Sequence, residues 1–193
     1  MGAVIGFDVG IRPENPSAWA VIQFDPLPQL ITSVHFWSNT KSWENRVSSL
    51  GKQAYALIND FRHQYPVSLV AVEIPFYGGD GENAMTTIKL ASVVGAIFGA
   101  AHPIPVIAVA PAQGKKALAK NGQATKADMV EAARIKWGVE ITDHEAAAAG
   151  VALAGVILQI KRLNKTGQSV KALSQMFGIE PKTIEIILKQ RDE

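Results

Sequence analysis

Apolar and polar positions divide this chain into short strands followed by helices. Ala3-Val4-Ile5-Gly6-Phe7 is a near-continuous apolar run and predicts a strand buried on both faces, ending at Asp8-Val9-Gly10. Gly10 to Pro16 is a turn by composition. Ser17 to Phe24 predicts a second strand, Pro26 and Pro28 a turn, and Leu30 to Trp37 a third strand. Connections this short imply an antiparallel meander. From Asn45 to His63 the period changes: Val47, Leu50, Ala54, Leu57, Ile58 and Phe61 mark one face of a helix, which Tyr65-Pro66 ends. Val67 to Glu73 is again an apolar strand that runs into a carboxylate. Gly78 to Gly81 is a loop, and Ala84 to Ala101 a helix with small residues at Ala91, Gly95 and Gly99, a spacing that permits close packing inside the fold or across a dimer. A short strand at Val106–Val109 precedes helices near Pro111–Lys120, Thr125–Trp137 and Asp143–Ile160.

Three meander strands, then helix, strand, helix, strand and helices, is a mixed α/β order with five strands. The later strands lie parallel to the first, so Asp8 and Glu73 fall at the same end of neighbouring strands. Ligand sites in such sheets gather at the carboxyl ends of strands. A buried carboxylate needs a partner, a hydrogen-bond network or a metal, although Asp8 by itself also suits a cap on the turn at Gly10. Two carboxylates at one strand end repel unless a cation lies between them, and magnesium or manganese fits an oxygen donor set. Thr142-Asp143-His144-Glu145 heads the almost wholly apolar last helix. Thr142 and Glu145 have capping-box spacing. Burial of the helix turns Asp143 and His144 toward the other two acids, as ligands or as ordinary first-turn charges.

Composition narrows the class. The 193 residues are 48% hydrophobic and 19% charged, which fits one globular domain and excludes a disordered chain. A net charge of +2 gives no overall polyanion signal, so a basic surface must come from clustering. There is no cysteine, which removes disulfides, zinc–thiolate sites and cysteine nucleophiles. The N-terminal residues show no leader-like pattern, and His102, Pro103 and Pro105 break the apolar run from Leu90 to Pro111, so a cytoplasmic protein without a membrane partner is expected. Lys115, Lys116, Lys120 and Lys126 cluster with no acid before Asp128, as a phosphate-binding surface or a solvated face. Phe76 follows Glu73 into the Gly-rich loop, where an aromatic can stack on a base or turn into the core.

The acids at Asp8, Glu73 and Asp143–His144, in this order and at these intervals, resemble the RuvC family of Holliday junction resolvases, a branch of the ribonuclease H-like nucleases. The resemblance runs over roughly residues 3 to 160. Glu73-Ile74-Pro75-Phe76 is similar to that family's Glu-x-x-Phe, whose aromatic wedges against bases. Gln113-Gly114-Lys115-Lys116, continuing to Lys126, is similar to its Gln-x-Lys … Glu-Lys segment, whose lysines meet the DNA backbone. The resemblance implies a ribonuclease H-like mixed five-stranded sheet over residues 1–163 and a homodimer acting on branched DNA, the four-way junction. It also implies paired nicks made with two magnesium or manganese ions held by Asp8, Glu73, Asp143 and His144, in a bacterial or phage-infected cell. One departure stands out. The family carries a further aspartate one turn into the last helix, where this chain has Ala147. A slip of two residues puts it at Ala149, also alanine. Asp143 then substitutes, or one metal site is lost and the protein binds junctions without cutting them, or the alanine was introduced to trap an inactive state. Asp8-Val9-Gly10 also resembles the first phosphate loop of actin-like and sugar-kinase-like nucleotide binders, but the chain is too short for their duplicated domain.

Residues 167–190 form a separate pattern of helix, Gly178 turn and helix. It resembles a DNA-binding helix-turn-helix, with Lys182, Thr183 and Lys189 placed to face DNA and Glu180 and Glu185 opposing that. A helical hairpin packed on the body or on a dimer mate fits equally.

Overall fold

A computed structural model describes residues 2–10, 16–24, 27–74 and 84–189. Five strands form one mixed sheet: β1 (Ala3–Asp8), β2 (Ser17–Phe24), β3 (Pro28–Phe36), β4 (Val67–Glu73) and β5 (Val106–Val109), in the spatial order β3, β2, β1, β4, β5. The first three are antiparallel, whereas β4 and β5 run parallel to β1, as the order of elements predicts. Helices α1 (Trp43–Gln64) and α2 (Ala84–Ala101) cover one face. The other face carries α3 (Pro111–Ala119), α4 (Lys126–Trp137) and α5 (Asp143–Lys165), followed by the short α6 (Val170–Phe177) and α7 (Pro181–Lys189). The fold is α/β and ribonuclease H-like.

The alternation of side chains along each strand decides what the site can contain. Ala3, Ile5 and Phe7 of β1, with Val70 and Val72 of β4, face α1 and α2. Val4 and Leu69 face α5. With a period of two, Asp8 and Glu73 both belong to the α5 face. Register places them together as well: Phe7 pairs with Val72, so the two acids come next along adjacent parallel strands.

Glycines let α5 lie directly on the sheet. A Cβ on Gly6 would come within 2.2 Å of the Ala148 carbonyl oxygen, and one on Gly155 within 2.5 Å of the Ala71 Cβ. A Cβ on Gly150 would likewise come within 2.7 Å of the Gly114 carbonyl oxygen, so α3 packs closely on α5. By contrast, a Cβ on Gly95 or Gly99 of α2 would meet nothing within 4 Å among the described residues. Both α2 and α5 are long and apolar enough to cross a membrane by composition; α5 buries most of that surface inside the fold. The tail joins the main core, with Leu173, Phe177, Ile179 and Ile184 buried in the cluster that contains Ile160. It packs beside the N-terminal ends of β1 and β4, where Gly2 lies between Ser68 and the Met176 carbonyl.

Candidate active site

Asp8, Glu73 and the head of α5 meet at the carboxyl ends of β1 and β4. Among the described residues, Asp8 makes no capping bond to the turn at Gly10. The backbone N–H of Gly10 donates instead to the hydroxyl of buried Ser17 (3.1 Å), which itself donates to the Gly10 carbonyl (2.7 Å). Asp8 faces His144: Nδ1 of the ring lies 2.8 Å from Oδ2 of the carboxylate, and both side chains are only 13% exposed. The hydrogen bond to Asp8 outweighs burial and raises the imidazole above its ordinary pKa. Glu73 is pushed up to about 8, first by burial and then by the charge of Asp8, with Lys115 and His144 opposing. The half-buried Lys115, read from sequence as a backbone contact, thus acts electrostatically on Glu73.

The head of α5 is held from two sides. Thr142 caps it by accepting from the Glu145 N–H, and the Glu145 carboxylate accepts from the Thr142 N–H (2.8 Å). Glu145 therefore belongs to the cap. Two side chains of the edge strand β3, missed by sequence reasoning, tie into this cap. Nε2 of His35 lies 2.6 Å from the Thr142 hydroxyl, and the Ser33 hydroxyl donates to Glu145 (3.2 Å). The His35 ring also stands edge-on to His144, with centroids 6.0 Å apart. Alternation on β3 puts residues 33 and 35 on one face, and this was the available signal.

Asp143 points elsewhere. Its carboxylate pairs with Lys126, the first residue of α4, at 2.5 Å. Burial raises the Asp143 carboxyl, but the Lys126 hydrogen bond, the nearby cationic charges and the His144 N–H together hold it below the usual range. Ala147 lies four residues on and shares the helix face of Asp143. It is half-buried between fully buried Ala146 and Ala148. Lys116 and Lys120 are exposed on α3 and at its end. Lys182 and Thr183 open α7, at the other pole of the sheet, roughly 20 Å away along β1. Phe76 lies outside the described residues.

Among the described residues, no three carboxylate or imidazole groups converge in a ready-made metal cage. The donor set nonetheless suits a hard divalent cation. Two carboxylates from adjacent strands share a mostly buried position, and burial and like charge penalise ionised Glu73, a penalty that a cation between the acids would remove.

The chain matches no family model and no curated protein. It is similar in structure to RuvC of Thermus thermophilus, with 26% identity and a TM-score of 0.64 over 84% of this chain and 96% of that one. It is also similar to Thermus thermophilus RuvC in complex with a Holliday junction substrate, with 25% identity and a TM-score of 0.62 over 80% and 92% of the two chains. The yeast mitochondrial Holliday junction resolvase Ydc2 shares the fold, at 14% identity and a TM-score of 0.50 over 78% of this chain and 76% of that one.

Proposed function

We propose, from the premise that this is a RuvC-like chain of the ribonuclease H-like superfamily, that it resolves four-way DNA junctions as a metal-dependent endonuclease. The observation that carries the reading is the placement of Asp8, Glu73 and His144 at one strand end, in a chain similar to a resolvase described with its junction substrate. Asp8 and Glu73 would hold a magnesium or manganese ion between them. With Nδ1 of His144 engaged by Asp8, Nε2 is the nitrogen that would meet a cation, and Asp143 would join as a further carboxylate only on leaving its pair with Lys126. The chemistry such ions supply is activation of a water and stabilisation of the leaving oxygen in an in-line displacement at phosphorus. The protein's own part is to orient the donors through the α5 cap, to hold Glu73 ready for a cation, and to receive backbone phosphates on Lys115, Lys116, Lys120 and Lys126.

Paired nicks on a two-fold symmetric junction suit a homodimer. The outward face of α2, with Ile88 and Phe98 exposed beside Ala91, Gly95 and Gly99, supports that assembly. One observation favours a second reading, a junction-binding protein that does not cut: Ala147 offers no ligand where the family offers a carboxylate.

The test is a gel assay with a labelled four-way junction, a matched duplex and a flap, each in EDTA, magnesium and manganese. Metal-requiring cleavage selective for the junction, lost in Glu73→Gln and raised in Ala147→Asp, is the expected result. Tight junction binding without nicks in either the parent or Ala147→Asp supports the second reading. No preference for branched DNA contradicts both.

A further inference from the structure

We propose a second backbone-phosphate site on the opposite face of the sheet from the lysines of α3 and α4. It is a cavity of about 270 Å³ between the first turns of α1 and α2, lined by Lys41, Arg46 and Lys89 together with the hydroxyls of Ser42 and Thr86. The inference rests on the reading of this chain as a protein that binds branched DNA, and it adds a site which that reading does not contain.

Topology brings the cavity to the catalytic end. Residue Phe36 at the end of β3 pairs with Ser17, and the next pair along β2, Ala18 with Asp8, is level with the site. The helix α1 leaves from this end to return the chain to the start of β4, which runs parallel to β1. The helix α2, which begins at Ala84, likewise returns the chain to β5, which runs parallel to β4. Both helix starts therefore lie at the Asp8–Glu73 end, under the α1–α2 face.

The side chains there suit a phosphodiester. Among the described residues, three cations line the cavity against one carboxylate, Glu44, which accepts the Ser42 hydroxyl at 2.5 Å. The Arg46 guanidinium is fixed at the rim by donating to the Thr40 carbonyl, 2.9 Å from one terminal nitrogen. Its planar fork and the two ammonium groups match the anionic oxygens of a backbone phosphate, and the Thr86 hydroxyl adds a neutral donor. The catalytic end is then flanked by cations on both faces. A junction arm crossing the Asp8–Glu73 site would be held by Lys115, Lys116, Lys120 and Lys126 on one side and by Lys41, Arg46 and Lys89 on the other. A free inorganic anion is the alternative occupant.

Junction affinity measured across a salt series tests the site, with the parent protein, the Lys41→Ala/Lys89→Ala double variant, and Lys171→Ala on the tail as control. Each lost phosphate contact lowers the slope of log affinity against log salt by about 0.9. Between about 50 and about 200 mM salt, the parent is therefore expected to lose about tenfold more affinity than the double variant, with the control matching the parent. A double variant with the parent's affinity and slope, in a protein that does bind junctions, overturns the site. So does inorganic phosphate binding that depends on both lysines when junction binding does not. A parent protein that binds no junction at all overturns the proposed function and this site with it.

Discussion

Glu73 makes the cation-free protein sensitive to pH. Its folded pKa of about 8 lies above the ordinary carboxylate value, so between about pH 4.5 and pH 8 the folded state binds more protons than the unfolded state. Stability gained through this group is present at low pH and is lost as pH rises toward 8. His144, also raised, contributes in the same direction: its stabilisation is complete below the imidazole's ordinary pKa and fades as pH climbs through the folded value. Thermal melts in EDTA should fall across this window, and Glu73→Gln should flatten the fall. Manganese should raise the melting temperature more at pH 8 than at pH 5, because protons compete for the same carboxylate; equal shifts at both would count against a cation at Glu73. At Gly6, a methyl group has no room against the Ala148 carbonyl, so Gly6→Ala is expected to cost about 3 kcal/mol in urea unfolding. Asp8, Glu73 and His144 were legible as a group because each is a polar residue at the end of an apolar segment. The role of Gly6 was less so, although a glycine inside a strand marks a close backbone approach.

The helix α5 is the element on which the site depends. Small residues seat it on β1 and β4, and the Thr142–Glu145 box with His35 and Ser33 fixes where it begins. Thr142→Ala should cost about 1 kcal/mol as a lost cap. Because the same change releases His35, it should also lower nicking at fixed metal concentration, and full activity with reduced stability would limit Thr142 to capping. The strand β4 matches its expected bounds, because an apolar run between Pro66 and Glu73 leaves no alternative limits. The helix α1 instead begins two residues before its expected start at Asn45, since Ser42 caps it ahead of Trp43 and Glu44. The pairing of Lys126 with Asp143 was not legible: the partners are 17 residues apart and meet only through the packing of α4 on α5. The tail helices bury Phe177 and Ile184 in the core behind α5. Phe177→Ala should therefore cost about 3 to 5 kcal/mol, an effect that a hairpin detached from the body would not show.

The molecule as a whole has two poles. One pole collects the strand ends with Asp8 and Glu73, the α5 head and cations on both faces of the sheet, while the tail closes the other pole roughly 20 Å away. Contacts by Lys182 or Thr183 would thus fall on a different part of the substrate from the scissile phosphate. The proposed dimer would use the exposed Ile88 and Phe98 on α2, and Phe98→Glu should shift the protein toward monomer in light scattering. The measurement that tests the central claim most directly is single-turnover cleavage in manganese of a four-way junction end-labelled on two opposing strands. Symmetric nicks on both strands by the parent, abolished by EDTA and reduced at least about a hundredfold in Glu73→Gln, are the predicted result, since that change removes a proposed metal ligand. A parent protein that binds the junction and leaves both strands intact, or a Glu73→Gln variant that cuts at the parent's rate, would contradict it.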